Sequence, residues 1–125
     1  MLLDSHVVLD LLEGGDRTGP RTRAEVQERQ VFVSAATTWE LSIKSRAGRL
    51  RINGDLAVGI DRAGFSQLPI LQEHTLRIGD IEGLPHADPF DRLLLTQARV
   101  EGLDFVTWDR AILAAGLPFV RDARD

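Results

Sequence analysis

At 125 residues the chain is sized for one domain, 1–125, that buries roughly two-thirds of its unfolded surface. Its 43% hydrophobic and 27% charged residues exclude disorder and collagen, and the lack of cysteine excludes disulfide scaffolds, thiolate nucleophiles and Cys-based zinc or iron sites. The net charge of -4 supplies no general basic field for nucleic acid, although acids gathered around a cation invert the sign locally.

In chain order, "MLLD" is a short apolar strand ending on a carboxylate, and "SHVVLDLLEGG" is a helix closed by Gly14 and Gly15. Asp4 and Asp10 interrupt this start, which also lacks a basic leader, so neither a signal peptide nor a membrane span is expected and the cytoplasm is the default. A polar loop over 16–20 leads to a surface helix, "RTRAEVQERQ". The β-branched strand "VFVSAA" precedes "TTWELSIKSRAGRL", whose Trp39, Ile43 and Ala47 fall at helical spacing. A weaker helix over 54–64, a strand "FSQLPI" and a helix over 71–83 follow. "DPFDRLLLTQARVEG" is the strongest helical pattern; "DFVTWD" is a strand, "RAILAAG" a short helix and "PFVRD" a last strand.

Strands alternating with helices predict an α/β fold, a three-layer α/β/α sandwich around a central, mainly parallel sheet, without repeats or linkers. In that architecture strand C-termini and the following helix N-termini share one edge of the sheet, where ligands bind. Asp4 ends the first strand and Asp109 the strand "DFVTW", while Glu40 and Asp91 are placed in the first turns of their helices. A bare cluster of carboxylates is self-repulsive. A hard divalent cation such as Mg²⁺ removes the conflict, accepts oxygen ligands and suits phosphodiester hydrolysis.

Each acid also has an ordinary reading. Asp88 before Pro89 fits an N-cap, with Asp91 able to complete a capping box. Asp4 and Asp109 fit caps too, and Glu40 can pair with Lys44 four residues on. His6 lies near Asp4, whereas His74 and His86 stand in surface-like contexts without metal-ligand spacing, so surface or packing roles are expected of all three. Trp39 and Trp108 adjoin acids of the set; core or interface is the expected role, with base stacking as the alternative.

"MLLDSHVVLDLL", "VFVSAATTWELSIKSRAGRL" and "DPFDRLLLTQARVEGLDFVTWD" closely resemble, in order and over nearly the whole chain, a PIN domain, in particular the VapC-type ribonuclease toxins of toxin–antitoxin pairs. The resemblance implies an Mg²⁺- or Mn²⁺-dependent endoribonuclease whose acidic quartet maps onto Asp4, Glu40, Asp91 and Asp109, with the hydroxyls of Ser5 and Thr107 beside it. Asp88 remains open between cap and site. The resemblance also implies an RNA substrate, a cognate antitoxin whose C-terminal segment crosses the groove, and homodimers. Lys44, Arg46, Arg49 and Arg51, with Arg92 and the loop residues Arg17, Arg21 and Arg23, are candidate RNA-backbone contacts. Their ordinary reading is a solvated surface.

Two other classes fit less well. A phospho-acceptor receiver needs an acid pair near the first strand and a late lysine, and a haloacid-dehalogenase-like phosphatase needs an acid where His6 stands. A catalytically inactive PIN-like module that binds RNA or protein is the stronger alternative to an enzyme.

Overall fold

In the computed structural model, which describes residues 1–84 and 88–125, five parallel strands form one sheet in the order β3-β2-β1-β4-β5. The strands are β1 (Leu2–Leu3), β2 (Phe32–Ser34), β3 (Ser66–Leu68), β4 (Phe105–Thr107) and β5 (Val120–Asp122). The helices are α1 (Ser5–Leu12), α2 (Pro20–Glu28), α3 (Ala35–Arg46), α4 (Leu56–Arg62), α5 (Gln72–Thr75), α6 (Pro89–Glu101) and α7 (Arg110–Ala114). This is the expected three-layer arrangement with helices on both faces of the sheet.

The two layers follow from strand periodicity. Leu2, Phe32 and Phe105 point to one face, where they meet Ala36 of α3, Leu94, Leu95 and Ala98 of α6 and Ile112 of α7. Leu3, Val33 and Val106 point to the other, against Val7 and Val8 of α1 and Ile60 of α4. Adjacent side chains of an extended chain alternate faces, so these short strands each serve two cores. Register agrees across the centre, with Leu2 opposite both Phe32 and Phe105.

The chain ends α6 at Gly102, in the left-handed region at φ 66°, where a residue without Cβ costs least. Gly19 is small for a different reason. A Cβ there would lie 2.1 Å from the Arg124 carbonyl oxygen, and its N–H donates to the Ala123 carbonyl at 2.8 Å. The C-terminal segment therefore closes over the start of α2.

Two element assignments need correction. The helix expected over 71–83 is two short pieces, α5 and a 3₁₀ turn at Ile78–Asp80. His74 ties the first piece down: its Nδ1 accepts the N–H of Leu71, the N-cap of α5, at 3.0 Å, while Nε2 lies 2.7 Å from Glu101 Oε1 on α6. This side chain is fully buried at 0% exposure, not surface-like, and it pins the segment to α6. The helix after β2 also begins earlier than expected. Ser34 caps it through Ala36 N–H at 3.0 Å, which moves Glu40 from the first turn to the second. His86 lies outside the described residues.

Candidate active site

The strand order reverses between β1 and β4: the chain leaves β1 toward β2 and β3, then returns to place β4 on the other side. Open α/β sheets bind ligands at such a reversal, outside the strand C-termini. Asp4 follows β1 and Asp109 follows β4, so these two acids flank the crevice.

Thr107 joins them. Its Oγ1 donates to Asp4 Oδ2 at 2.6 Å and accepts the Asp109 N–H at 3.0 Å. The other Asp4 oxygen accepts the Ser5 N–H at 2.7 Å, and Asp109 Oδ1 caps α7 by accepting from Ile112 N–H at 3.0 Å. From the α3 side, Glu40 Oε1 accepts from Ser5 Oγ at 2.6 Å, and Glu40 Oε2 lies 3.2 Å from Lys44 Nζ. Thr37, fully buried one turn before Glu40, places its hydroxyl 3.3 Å from Ser5 Oγ. That residue was missed in the sequence, although a position three before Glu40 on a helix shares its face.

Asp91 enters from the first turn of α6. Asp88 caps that helix, its Oδ1 accepting the Phe90 N–H at 2.7 Å and the Asp91 N–H at 3.4 Å. Burial, then the charges of Asp4, Asp88, Glu40 and Asp109, push the Asp91 carboxyl up to about 7. Asp4 is also raised, first by burial and further by Glu40, against the opposing effects of the Thr107 hydrogen bond and His6. The other three members of the predicted quartet thus act on Asp91 through their fields, and Asp88 acts with them.

The donor set fits a hard cation: all are carboxylate oxygens, the charge is in excess, and Lys44 alone is paired to it among the described residues. Direct chelation is not preformed. Among the described residues, the trio whose ligand atoms all lie within 4.8 Å of one another is Glu73, His74 and Glu101, and the sheet-edge acids stand wider. The trio itself suits a metal poorly, because Leu71 N–H and Gln97 Nε2 both approach His74 Nδ1. That nitrogen must accept, which leaves the proton on Nε2 to be donated to Glu101.

The candidate RNA contacts divide. Arg92 donates to the Ile81 and Leu84 carbonyl oxygens, so its guanidinium is spent on the main chain rather than offered to a phosphate. Lys44 serves Glu40, Arg21 pairs with Glu25 and Arg23 with Asp10. Arg46, Arg49 and Arg51 are exposed and show no ion pair among the described residues. Arg17 instead lies over Trp108, its Cζ 4.5 Å from the ring centroid. Trp39 is 58% exposed, its ring edge-on to Phe90 at 5.0 Å.

The PIN domain family model matches residues 1–116. A toxin-antitoxin complex from Klebsiella pneumoniae contains a similar fold, with a TM-score of 0.65 at 19% identity over 96% of this chain and 94% of that one. VapBC2 from Rickettsia felis bound to a DNA fragment from its promoter is likewise similar, with a TM-score of 0.66 at 14% identity over 97% and 96%. No curated protein matches. A family match over most of the chain, on a parallel sheet whose reversal point gathers acidic side chains, gives one conclusion: the chain belongs to the PIN domain family.

Proposed function

We propose that this protein is a divalent-cation-dependent endoribonuclease and the toxin of a toxin–antitoxin pair, acting in the cytoplasm. The observation that carries this reading is the uncompensated carboxylate charge at the sheet reversal, expressed in the Asp91 carboxyl pushed up to about 7. Strongly perturbed acids in a crevice mark functional sites more often than structural ones. Membership of the PIN domain family and the toxin–antitoxin neighbours point the same way.

Asp4, Glu40, Asp91 and Asp109 would hold Mg²⁺ or Mn²⁺, which when bound polarises a phosphoryl oxygen, makes a water more acidic and neutralises the leaving oxygen. The chain supplies the rest. Thr107 and the Ser5 N–H fix both oxygens of Asp4, and Ser5 Oγ with Lys44 fixes both oxygens of Glu40. One carboxylate accepts the proton of the attacking water as its oxygen bonds to phosphorus and a backbone P–O bond breaks. The wide spacing of the acids would suit Mg²⁺, which binds through one or two carboxylates and keeps several of its waters. It also supports the second reading, an inactive PIN-like module that binds RNA or protein.

An antitoxin and a second copy of the chain complete the proposal. An open groove of about 580 Å³, lined by Val33, Ala35, Ile60, Phe65 and Leu68, offers an apolar seat for a protein segment. Trp39 and Ile43, one turn apart and exposed on α3, offer a self-contact surface. No helix among the described residues is long and apolar enough to cross a membrane.

The test is RNA cleavage with Mg²⁺ or Mn²⁺ by antitoxin-free protein, set beside Asp4→Asn, with cation binding followed by calorimetry. Wild type should bind the ion and cut, and the variant should do neither. Cation binding absent from wild type, with Asp4→Asn indistinguishable from it, would sink the nuclease reading.

A further inference from the structure

The acidic site has a problem of substrate grip. A cluster of carboxylates repels a polyanion, and Lys44, Arg21, Arg23 and Arg92 are already engaged. One constellation beside the acids is neither acidic nor spent. Trp108 immediately precedes Asp109, is half-buried, and packs its apolar part on the α1 side of the sheet. His6, exposed in the first turn of α1, lies near-parallel to it with ring centroids 6.5 Å apart and planes inclined by 22°. Arg17, in the loop after α1, covers the same indole.

The Arg17 guanidinium makes no ion pair and no side-chain hydrogen bond among the described residues; its only polar tie is a main-chain N–H to Asp10 at 3.3 Å. A cation resting on an aromatic face is held weakly enough at an exposed site to exchange that face for a phosphate. The two rings, at the outer range of direct aromatic pairing, leave area uncovered for a third flat group. Position matters as much as chemistry: His6 is two residues from Asp4, while Trp108 adjoins Asp109. A base laid on this platform brings its own phosphate to the flank of the carboxylates.

We propose that His6, Arg17 and Trp108 form a nucleotide subsite for single-stranded RNA, the base stacking on the Trp108 indole and Arg17 turning to the adjacent phosphate. The subsite deepens the nuclease reading and rests on it. Single strands are required because bases in a duplex have both faces covered. Grip through one stacked base and one guanidinium also depends little on salt, the slope of log K against log salt being about -0.7 per phosphate neutralised on a single strand.

Trp39 and Trp108 are the two tryptophans of the chain, so Trp39→Phe leaves Trp108 as the sole indole reporter and keeps an aromatic ring against Phe90. In a Trp39→Phe, Asp91→Asn protein with Mg²⁺ present, a single-stranded hexaribonucleotide should quench the fluorescence saturably, and the same sequence as a duplex should not. Arg17→Ala should weaken this binding about five- to tenfold, and in the otherwise wild-type protein it should raise KM more than it lowers kcat. Equal quenching by the duplex, or none by either while wild type cleaves RNA, overturns the subsite and leaves the nuclease reading standing. Quenching of the double variant by the single strand, when the wild-type protein does not cleave RNA with Mg²⁺ or Mn²⁺, upholds the subsite and rejects the nuclease reading.

Discussion

The two ends of the sheet hold similar acids in opposite electrostatic states. At the C-terminal end, Asp4 and Asp91 are raised, the latter to about 7, by burial and by one another's neighbours. At the N-terminal end, Glu25 and Asp104 are also partly desolvated, yet both are lowered, because hydrogen bonds and charge from arginines outweigh that desolvation. Arg121 reaches Glu25 at 3.0 Å and Asp104 at 3.1 Å, and Arg29 reaches Asp104 at 2.9 Å. One end spends its guanidinium groups on stability. The other withholds them, at a cost in stability that a divalent cation can offset.

The largest effect that distinguishes the ends belongs to Asp91→Asn. Cleavage of RNA should fall by about 10²–10⁴-fold, as for loss of a group that holds or moves a proton in the reacting centre. Stability should move the other way. An acid raised in the folded state contributes stability that is complete below its unfolded pKa and is lost as pH rises through the folded value. Metal-free wild type should therefore melt at progressively lower temperature between about pH 4 and pH 8 because of Asp91 and Asp4. Asp91→Asn should recover about 1–2 kcal/mol at pH 8, discounted for the solvent that still reaches the group. Calorimetry in EDTA reads this as a Tm about 3–7 °C higher, and Mg²⁺ should raise the wild-type Tm while leaving the variant nearly still. A variant that melts lower than wild type at pH 8 in EDTA would mean that these acids are already compensated.

Removing a guanidinium from the opposite end should reverse the sign. Arg121→Ala leaves Glu25 and Asp104 with Arg21 and Arg29 alone, which should cost about 1 kcal/mol at pH 7. The loss should vanish as pH falls through the lowered folded values of these acids, since protonated carboxyls need no partner. RNA cleavage should not change. A cleavage defect in Arg121→Ala would erase the contrast between the two ends.

Much of this was legible in the sequence because it depends on local periodicity and a topological rule. β-Branched and aromatic residues in "VFVSAA" and "DFVTWD" point to strands, and the rule that strand C-termini face helix N-termini assigns Asp4, Glu40, Asp91 and Asp109 to one edge. Contacts between distant residues were not legible. Thr107 bridges Asp4 and Asp109, yet nothing within "TWD" says that β4 lies beside β1 rather than beyond β3. Arg121 and Glu25 meet across 96 positions, so the spent arginines could not be told from free ones. Over 71–83 the apolar spacing is helical, yet the chain holds it as two short pieces, and the burial of His74 against Glu101 of α6 is a tertiary contact that local spacing does not show. Glu40 falls in the second turn because Ala35 and Ala36, read as the end of the strand "VFVSAA", are the first residues of α3 behind the Ser34 cap.

The smallest predicted effect concerns Asp88, which belongs to both descriptions of the acidic end. Its carboxylate caps α6, and its charge is among those that raise Asp91. Asp88→Asn separates the two roles, since asparagine is as good an N-cap as aspartate but carries no charge. Stability should stay within about 0.5 kcal/mol of wild type, while the Asp91 carboxyl, followed by NMR as pH is varied in EDTA, should titrate at a lower pH than in wild type. Asp88→Ala should lower the titration similarly and also cost about 1 kcal/mol for the lost cap. An unmoved Asp91 titration in Asp88→Asn would make Asp88 a cap alone, and the excess charge at the sheet reversal would then rest on Asp4, Glu40, Asp91 and Asp109 without it.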